Sequence, residues 1–196
     1  MQGREVKIRA MTLEELAAAF VPGLDRLTPL IDMDDVQWPN ARLRRRVFIG
    51  DHAWPEPLTT SARAVVFKGS RVVVVSQSDG LCHIQPGGGL EPGESIEAAV
   101  RRELGEETGW TVGALKPLGF QLLQPLTPKP PGSTRRWGDM VHALYVAEAA
   151  AYDHRLRDRM QIETGSRLTP VRRALAELPW DEALLLRAAV ERRARP

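Results

Sequence analysis

The sequence lacks most features that would assign a chain to a specialised class of protein. It contains a single cysteine, Cys82, which excludes an internal disulfide framework and suits a reducing compartment. No apolar run approaches the ~20 residues of a membrane span, and the first residues carry charges where a signal peptide needs an apolar segment. The formal net charge is only +2, so neither a nucleic-acid nor a membrane partner is expected. We therefore expect a soluble cytoplasmic protein.

The N-terminal part differs in character from the rest of the chain. Thr12 to Glu15 form a capping-box pattern that opens a short helix, which Pro22 and Gly23 end. Residues 24–60 are rich in proline, so we expect irregular structure there. We interpret residues 1–58 as an extension packed on a main domain at 59–196, because apolar side chains such as Trp54 need burial.

The main domain mixes strand and helix patterns. Short strands are predicted for ARAVVF, RVVVVSQ and LCHIQ, with a tight turn between the first two, and further strands for WTVGALKPLGFQLLQ. A strand buried on both faces is predicted for MVHALYVAEA, because it is apolar nearly throughout. Two amphipathic helices are predicted for VRRALAEL and WDEALLLRAAVERRA. This mixture indicates a mixed α/β or α+β sandwich.

A helix with unusual charge placement follows a run of three glycines. Ser95 is a suitable N-cap and Gly109 a suitable left-handed residue to end the helix. Glu106 and Glu107 then fall in its last turn, where the helix dipole disfavours negative charge. Glu103 lies three and four residues earlier, so all three carboxylates share one surface.

Two interpretations of this cluster compete. Three glutamates within five residues are most often a solvated helix face. The alternative is a site for a hard divalent cation, because magnesium and manganese take oxygen ligands from carboxylates and substrate phosphates. Such an ion would convert the mutual repulsion of the carboxylates into binding.

The surrounding residues favour the second interpretation. Gly88 is followed after five residues by Glu94, after seven more by Arg102-Glu103-Leu104, and then by Glu106-Glu107 and Gly109. This spacing resembles the signature of the Nudix hydrolases, with Trp110 where that family usually has an aliphatic residue. His83 stands where the family often has tryptophan, three residues before Pro86. The likeness covers roughly residues 60 to 185.

The resemblance implies a Nudix-type α/β/α sandwich with a mixed sheet and a metal-dependent active site. The Gly88 carbonyl, Glu103, Glu106 and Glu107 are the implied ligands of magnesium or manganese, and Glu103 or Glu106 the implied proton acceptor. Arg102 and Glu94 have an implied structural role, since they can pair across the junction of loop and helix.

Some family members use an additional carboxylate from a late loop. Glu163 stands where such a loop is expected, and it is either a further metal ligand or an ordinary exposed side chain. Glu148 and Asp139 are weaker candidates for the same role.

Other residues are candidates for substrate binding. Arg135, Arg136 and Trp137 lie in a proline-rich loop that would stack a base or bind a phosphate, or would be solvated. His83 is a further candidate for contact with the substrate. Related isomerases use a cysteine, but the complete hydrolase signature argues against that chemistry for Cys82.

The predicted function is hydrolysis of the diphosphate bond in a nucleoside diphosphate linked to another group. Nucleotide sugars, ADP-ribose and oxidised or ordinary nucleoside triphosphates are the substrate types considered. The alternative is a Nudix-like sensor that binds such a ligand without turnover. A third alternative is that residues 1–58 carry specificity or a homodimer contact while the glutamates supply the chemistry.

Overall fold

The structure is a computed structural model of the chain. It describes residues 12–38, 41–51, 54–78, 80–133, 137–157 and 163–195.

Helices and strands alternate along most of this length. The helices are α1 (Leu13–Gly23), α2 (Ile96–Thr108), α3 (Val171–Glu177) and α4 (Trp180–Ala194). The strands are β1 (Ile31–Trp38), β2 (Ala41–Ile49), β3 (Thr59–Lys68), β4 (Arg71–Gln77), β5 (Cys82–His83), β6 (Gly87–Gly89), β7 (Trp110–Pro125), β8 (Met140–Tyr152) and β9 (Glu163–Pro170). Short 3-10 turns occupy Leu24–Arg26, Glu56–Leu58 and His154–Leu156. No helix in the described ranges combines the length and apolar character required to traverse a bilayer.

All described strands belong to one mixed sheet. Its strand order is β1-β2-β7-β8-β3-β4-β5, with β6 paired to β3 and β9 paired to β4. Strands β3 and β8 run parallel, whereas the other recorded pairs are antiparallel. The first eight residues of β8 are buried, as the apolar sequence of this strand predicts. The predicted tight turn between β3 and β4 is also confirmed.

Helices cover both faces of the sheet. Helix α2 packs through Ala99, Val100 and Leu104 on one face, and α1 packs on the same face against Phe120 and its neighbours. Helix α4 covers the opposite face through Leu185, Leu186 and Ala189. The predicted α/β/α sandwich with a mixed sheet is therefore confirmed.

The prediction of irregular structure for residues 24–60 is wrong, because a β-hairpin fills most of this region. Strand β1 pairs with β2, and β2 pairs with β7 from Leu43–Pro125 to Ile49–Gly119. Phe48 is 1% exposed and stacks on Phe120 with 5.1 Å between the ring centroids. The hairpin thus extends the central sheet instead of lying on its surface. The division of the chain at residues 58 and 59 stays a prediction.

Replacement of Phe48 by alanine tests whether the hairpin contributes to the core. We expect Phe48→Ala to lower the free energy of unfolding by about 3–5 kcal/mol, because the change leaves a cavity beside Phe120. Leu126→Ala is the control, since Leu126 is 52% exposed, and it should cost about 0.5 kcal/mol or less. Urea unfolding of both variants provides the comparison. An equally small loss of unfolding free energy in both variants would show that the hairpin does not contribute to the core.

Candidate active site

Helix α2 begins and ends as the sequence predicts. The Ser95 hydroxyl accepts a hydrogen bond from the Ala98 amide at 3.2 Å and caps the N-terminus. Gly109 has a φ of 77° and donates to the Gly105 carbonyl at 2.8 Å, which ends the helix. No basic residue lies in the last turn of this fully described helix. The dipole therefore opposes the carboxylates there, and other groups must stabilise them.

Apolar packing fixes the position of the helix on the sheet. Val100 and Leu104 are fully buried against β3 and β8, where Ala62, Ala64 and Ala143 belong to the same cluster. These small side chains let the helix approach the strands closely. The carboxylates on the neighbouring surface of α2 are consequently held next to β6, which also pairs with β3.

Gly87 connects the glycine-rich loop to the helix. Its amide donates to Glu107 Oε2 at 2.9 Å. Its φ is 141°, and a β-carbon at this position would overlap the Ala62 carbonyl and the Arg63 α-carbon. Only glycine fits here without strain, because both the backbone conformation and the space exclude a side chain.

Gly88 lies directly against a carboxylate of the helix. A β-carbon at position 88 would collide with the carboxyl group of Glu103. The main chain of the loop and this carboxylate are therefore neighbours, as a shared metal site at the Gly88 carbonyl and Glu103 would require.

Arg102 binds groups on both sides of the loop–helix junction. Its Nε and Nη2 donate to the two oxygens of Glu94 at 2.9 Å each, and Nη2 also donates to the Gly89 carbonyl at 2.9 Å. Its Nη1 donates to Glu103 at 2.8 Å and to Glu106 at 3.2 Å. The hydrogen bond with Arg102 lowers the pKa of Glu94, so this carboxylate is ionised near neutral pH. The structure thus contains the predicted Arg102–Glu94 pair.

Two of the three signature carboxylates are buried. Glu103 is 9% exposed and Glu107 5% exposed, whereas Glu106 is more open. Burial raises the pKa of Glu103, and the hydrogen bond from Arg102 opposes this rise. Burial lowers the pKa of the Arg63 guanidinium, and the negative charge of Glu107 opposes this by raising it. Arg63 remains charged, so both Arg63 and Arg102 place a positive charge near the glutamates.

The carboxylates fit a hard divalent cation in chemistry, and two of them, Glu103 and Glu106, lie close together. Arg102 Nη1 contacts oxygens of both Glu103 and Glu106, so these two groups already converge on one positive charge. Carboxylate and carbonyl oxygens are the ligands that magnesium and manganese prefer. Within the described ranges no three His, Cys, Asp or Glu side chains converge as a complete metal-ligand set. Glu107 instead accepts from the Gly87 amide, and it would have to turn to join the other two.

The structure describes two of the four predicted substrate contacts, His83 and Trp137. His83 lies in β5 opposite Val75 and is partly buried. Trp137 is partly buried and donates from Nε1 to the Thr127 carbonyl at 3.2 Å. Arg135 and Arg136 lie outside the described residues, so their role in substrate binding stays a prediction.

The prediction of a loop around Glu163 is wrong, because the structure has a β-strand there. Residue 163 begins β9 and pairs with Gln77, because β9 adds to the sheet beside β4. The side chain of Glu163 lies outside the described atoms, so its role as a ligand stays a prediction. Of the weaker candidates, Glu148 is bonded to Arg193, and Asp139 accepts from Gln124 at 3.2 Å.

Four polar residues near the site were not identified from the sequence. Arg63 lies in β3, Gln121 in β7 and Glu182 in α4, and Gln85 lies just before the glycine-rich loop. Gln121 and Glu182 are less than one-tenth exposed. The available signal was weak, because single polar residues inside apolar strand and helix segments also occur at solvated positions.

With this geometry established, comparison with known proteins identifies the family. The NUDIX domain model matches residues 57–192, so the chain belongs to this family. A comparison with curated proteins finds no match.

Solved structures of the same fold agree with this assignment. A pyrophosphohydrolase of Bacillus subtilis is 18% identical with a TM-score of 0.57, and the match covers 83% of this chain and 94% of that one. The NUDIX domain of NrtR from Shewanella oneidensis, solved with ADP ribose, is 22% identical with a TM-score of 0.50, covering 73% and 95%. A NUDIX hydrolase from Listeria monocytogenes, described as putative in its structure report, is 18% identical with a TM-score of 0.51, covering 68% and 92%. At these identities the likeness establishes the fold.

Substitution of Gly88 tests the contact between loop and helix. We expect Gly88→Ala to lower the free energy of unfolding by about 1 kcal/mol, because the new methyl group displaces the Glu103 carboxylate from its hydrogen bond with Arg102. Gly113→Ala is the matched control, since a β-carbon there meets nothing within 4 Å. Denaturant unfolding without added metal measures both. A Gly88→Ala protein as stable as Gly113→Ala would contradict the geometry of the site.

Proposed function

We propose that the protein is a magnesium- or manganese-dependent hydrolase of a nucleoside diphosphate linked to another group. The observation that carries this proposal is the convergence of Glu103 and Glu106 on one cationic nitrogen beside the glycine-rich loop. Membership of the NUDIX family supports it, since hydrolases of this family generally depend on divalent metals.

The residues of the site have distinct proposed roles. The Gly88 carbonyl, Glu103, Glu106 and Glu107 would hold one or more metal ions. When bound, the metal supplies charge neutralisation of the diphosphate and a more acidic water. Either Glu103 or Glu106 accepts the proton of the attacking water.

Arg102 and Glu94 position the ligands without contacting the substrate. Their paired hydrogen bonds hold the end of the glycine-rich loop, through the Gly89 carbonyl, against α2. A guanidinium bound to Glu94 through two nitrogens has little freedom to rotate, and this restricts Glu103 and Glu106 as well.

Solved structures of the same fold indicate which compounds to test as substrates. Among structures of this fold, one is a pyrophosphohydrolase and another holds ADP ribose. A test panel therefore includes ADP-ribose, nucleotide sugars and oxidised and ordinary nucleoside triphosphates. Release of a mononucleotide or of phosphate products in the presence of magnesium identifies the substrate.

The second candidate function is a ligand-binding sensor without turnover. The structure of a NUDIX domain with ADP ribose motivates this alternative. The complete set of signature glutamates opposes it, because retaining them costs stability in a module that binds no metal. Binding of a panel compound with no cleavage at any metal concentration would favour the sensor.

Neutralisation of Glu107 tests the assignment of the site. We expect Glu107→Gln to lower kcat by about 100-fold or more, because a neutral amide is a weaker metal ligand than a carboxylate, while the fold is retained because the amide oxygen can still accept from the Gly87 amide. Glu97→Gln is the control, since Glu97 lies in the same helix at an exposed position. Steady-state assays with the identified substrate and circular dichroism compare the two variants. Unchanged turnover in Glu107→Gln would refute the assignment.

A homodimer through the N-terminal extension is a further prediction. Among the described residues β1 pairs with β2 on one side only and is the first strand of the sheet order, so we infer that its other edge can receive a second copy. Light scattering after size exclusion would then give twice the chain mass of 21.8 kDa. A mass near that of one chain across the micromolar range would refute the dimer.

A further inference from the structure

Four hydrogen bonds join five side chains next to the glycine-rich loop into a ring that the backbone of α4 closes. Glu182 Oε1 accepts from Gln85 Nε2, and Gln85 Oε1 accepts from Gln121 Nε2 at 2.6 Å. Gln121 Oε1 accepts from Arg45 Nε at 2.6 Å, and Arg45 Nη1 donates to Asp181 at 2.6 Å. Asp181 precedes Glu182 in the chain, so the ring closes through the first turn of α4.

The members of this polar ring are shielded from water. Gln85, Gln121 and Glu182 are 6%, 4% and 7% exposed. The side chains of Arg45 and Asp181 are 12% and 15% exposed. Loss of any one bond would leave a buried polar group without its partner, which is unfavourable. The conformations of the five side chains are therefore mutually dependent.

Gln85 is the point at which the ring meets the loop. Its backbone carbonyl accepts from Arg63 Nη1 at 3.1 Å, while its side chain bonds to Gln121 and Glu182. The preceding amide, that of Ile84, donates to Glu182 Oε2 at 3.0 Å. Glu182 thus binds two consecutive residues of the chain.

Further hydrogen bonds connect Gln85 to the glycine-rich loop. The Pro86 carbonyl accepts from the Ala64 amide at 3.0 Å, and the Gly87 amide donates to Glu107. The next residue is Gly88, which lies against Glu103. Consecutive residues from 84 to 87 are each fixed by a hydrogen bond, and the carbonyl proposed as a metal ligand follows immediately.

We propose that a ring of five side chains holds the glycine-rich loop in place; its members are Arg45, Gln85, Gln121, Asp181 and Glu182. Gln85 is the positioning residue, because it is the member of the ring that adjoins the loop. The catalytic consequence rests on the proposed function, whereas the ordering of the loop does not. The ring links the glycine-rich loop to Arg45 of the N-terminal hairpin and to Asp181 in the first turn of α4. These two residues lie 76 and 60 positions from Gln121 in the sequence.

Hydrogen exchange in the full chain without metal tests this proposal. In Arg45→Met we expect the amides of residues 84, 85 and 87–89 to exchange about fivefold faster than in the wild type, because both hydrogen bonds of Arg45 in the ring are lost. Arg192→Met is the matched control. Arg192 also joins α4 to the rest of the fold, through the Pro117 carbonyl at 2.8 Å and Asp51 at 2.7 Å, but it lies at the other end of the helix.

The control separates positioning from general destabilisation. Faster exchange of residues 84–89 in Arg45→Met but not in Arg192→Met supports the proposal. No change in Arg45→Met, or an equal change in both variants, overturns it.

Gln121→Glu provides a second variant that keeps the shape of the side chain. The new carboxylate still accepts from Arg45 but cannot donate to Gln85. We expect the same faster exchange of residues 84–89 and a kcat about fivefold lower with KM unchanged within twofold. An altered KM with wild-type kcat and wild-type exchange would overturn the positioning role. If the wild type cleaves no compound, the exchange result still decides the ordering of the loop, and only the proposed function fails.

Discussion

Negative charge concentrated at the junction of the glycine-rich loop and α2 is the constraint on which the rest of the site depends. Glu103 and Glu107 are buried there, and Glu94 and Glu106 lie beside them. Buried carboxylates are stable only when they are paired and hydrogen-bonded. Arg102 donates a hydrogen bond to Glu103, Arg63 supplies a positive charge nearby, and the Gly87 amide donates to Glu107.

The fold supplies these partners from a few closely packed elements. Strand β3 carries Arg63, pairs with the loop strand β6 and supports α2 through small side chains. A protein in which the same carboxylates served only as a solvated helix face would not need this arrangement. The cost of crowding them is offset if a metal ion binds, and the absence of side chains on the loop leaves the main chain accessible to such an ion.

Local features of the site could be predicted from the sequence, because their causes are local. Ser95 and Gly109 mark the ends of α2 through their own backbone preferences, and the spacing of Glu103, Glu106 and Glu107 follows from the helical repeat. The Arg102–Glu94 pair was also predictable, since the signature fixes its spacing.

Features that depend on distant partners could not be predicted. Prolines near the N-terminus suggested irregular structure, yet Phe48 lies in a strand that is stabilised by pairing with β7. Arg45 belongs to a basic run that looks solvent-exposed in sequence, but Gln121 and Asp181, which lie 76 and 136 residues away, make it part of a buried ring. The expectation of a loop at Glu163 came from the family resemblance, whereas its pairing with Gln77 joins segments far apart in sequence.

The central claim is that the carboxylates at this junction bind a divalent cation. Electron paramagnetic resonance of manganese titrated into the full chain measures the bound ion directly. We expect loss of the free-ion signal with the wild type, and its recovery when Glu103 and Glu106 are both replaced by glutamine. Equal manganese binding by the wild type and by that double variant would contradict it.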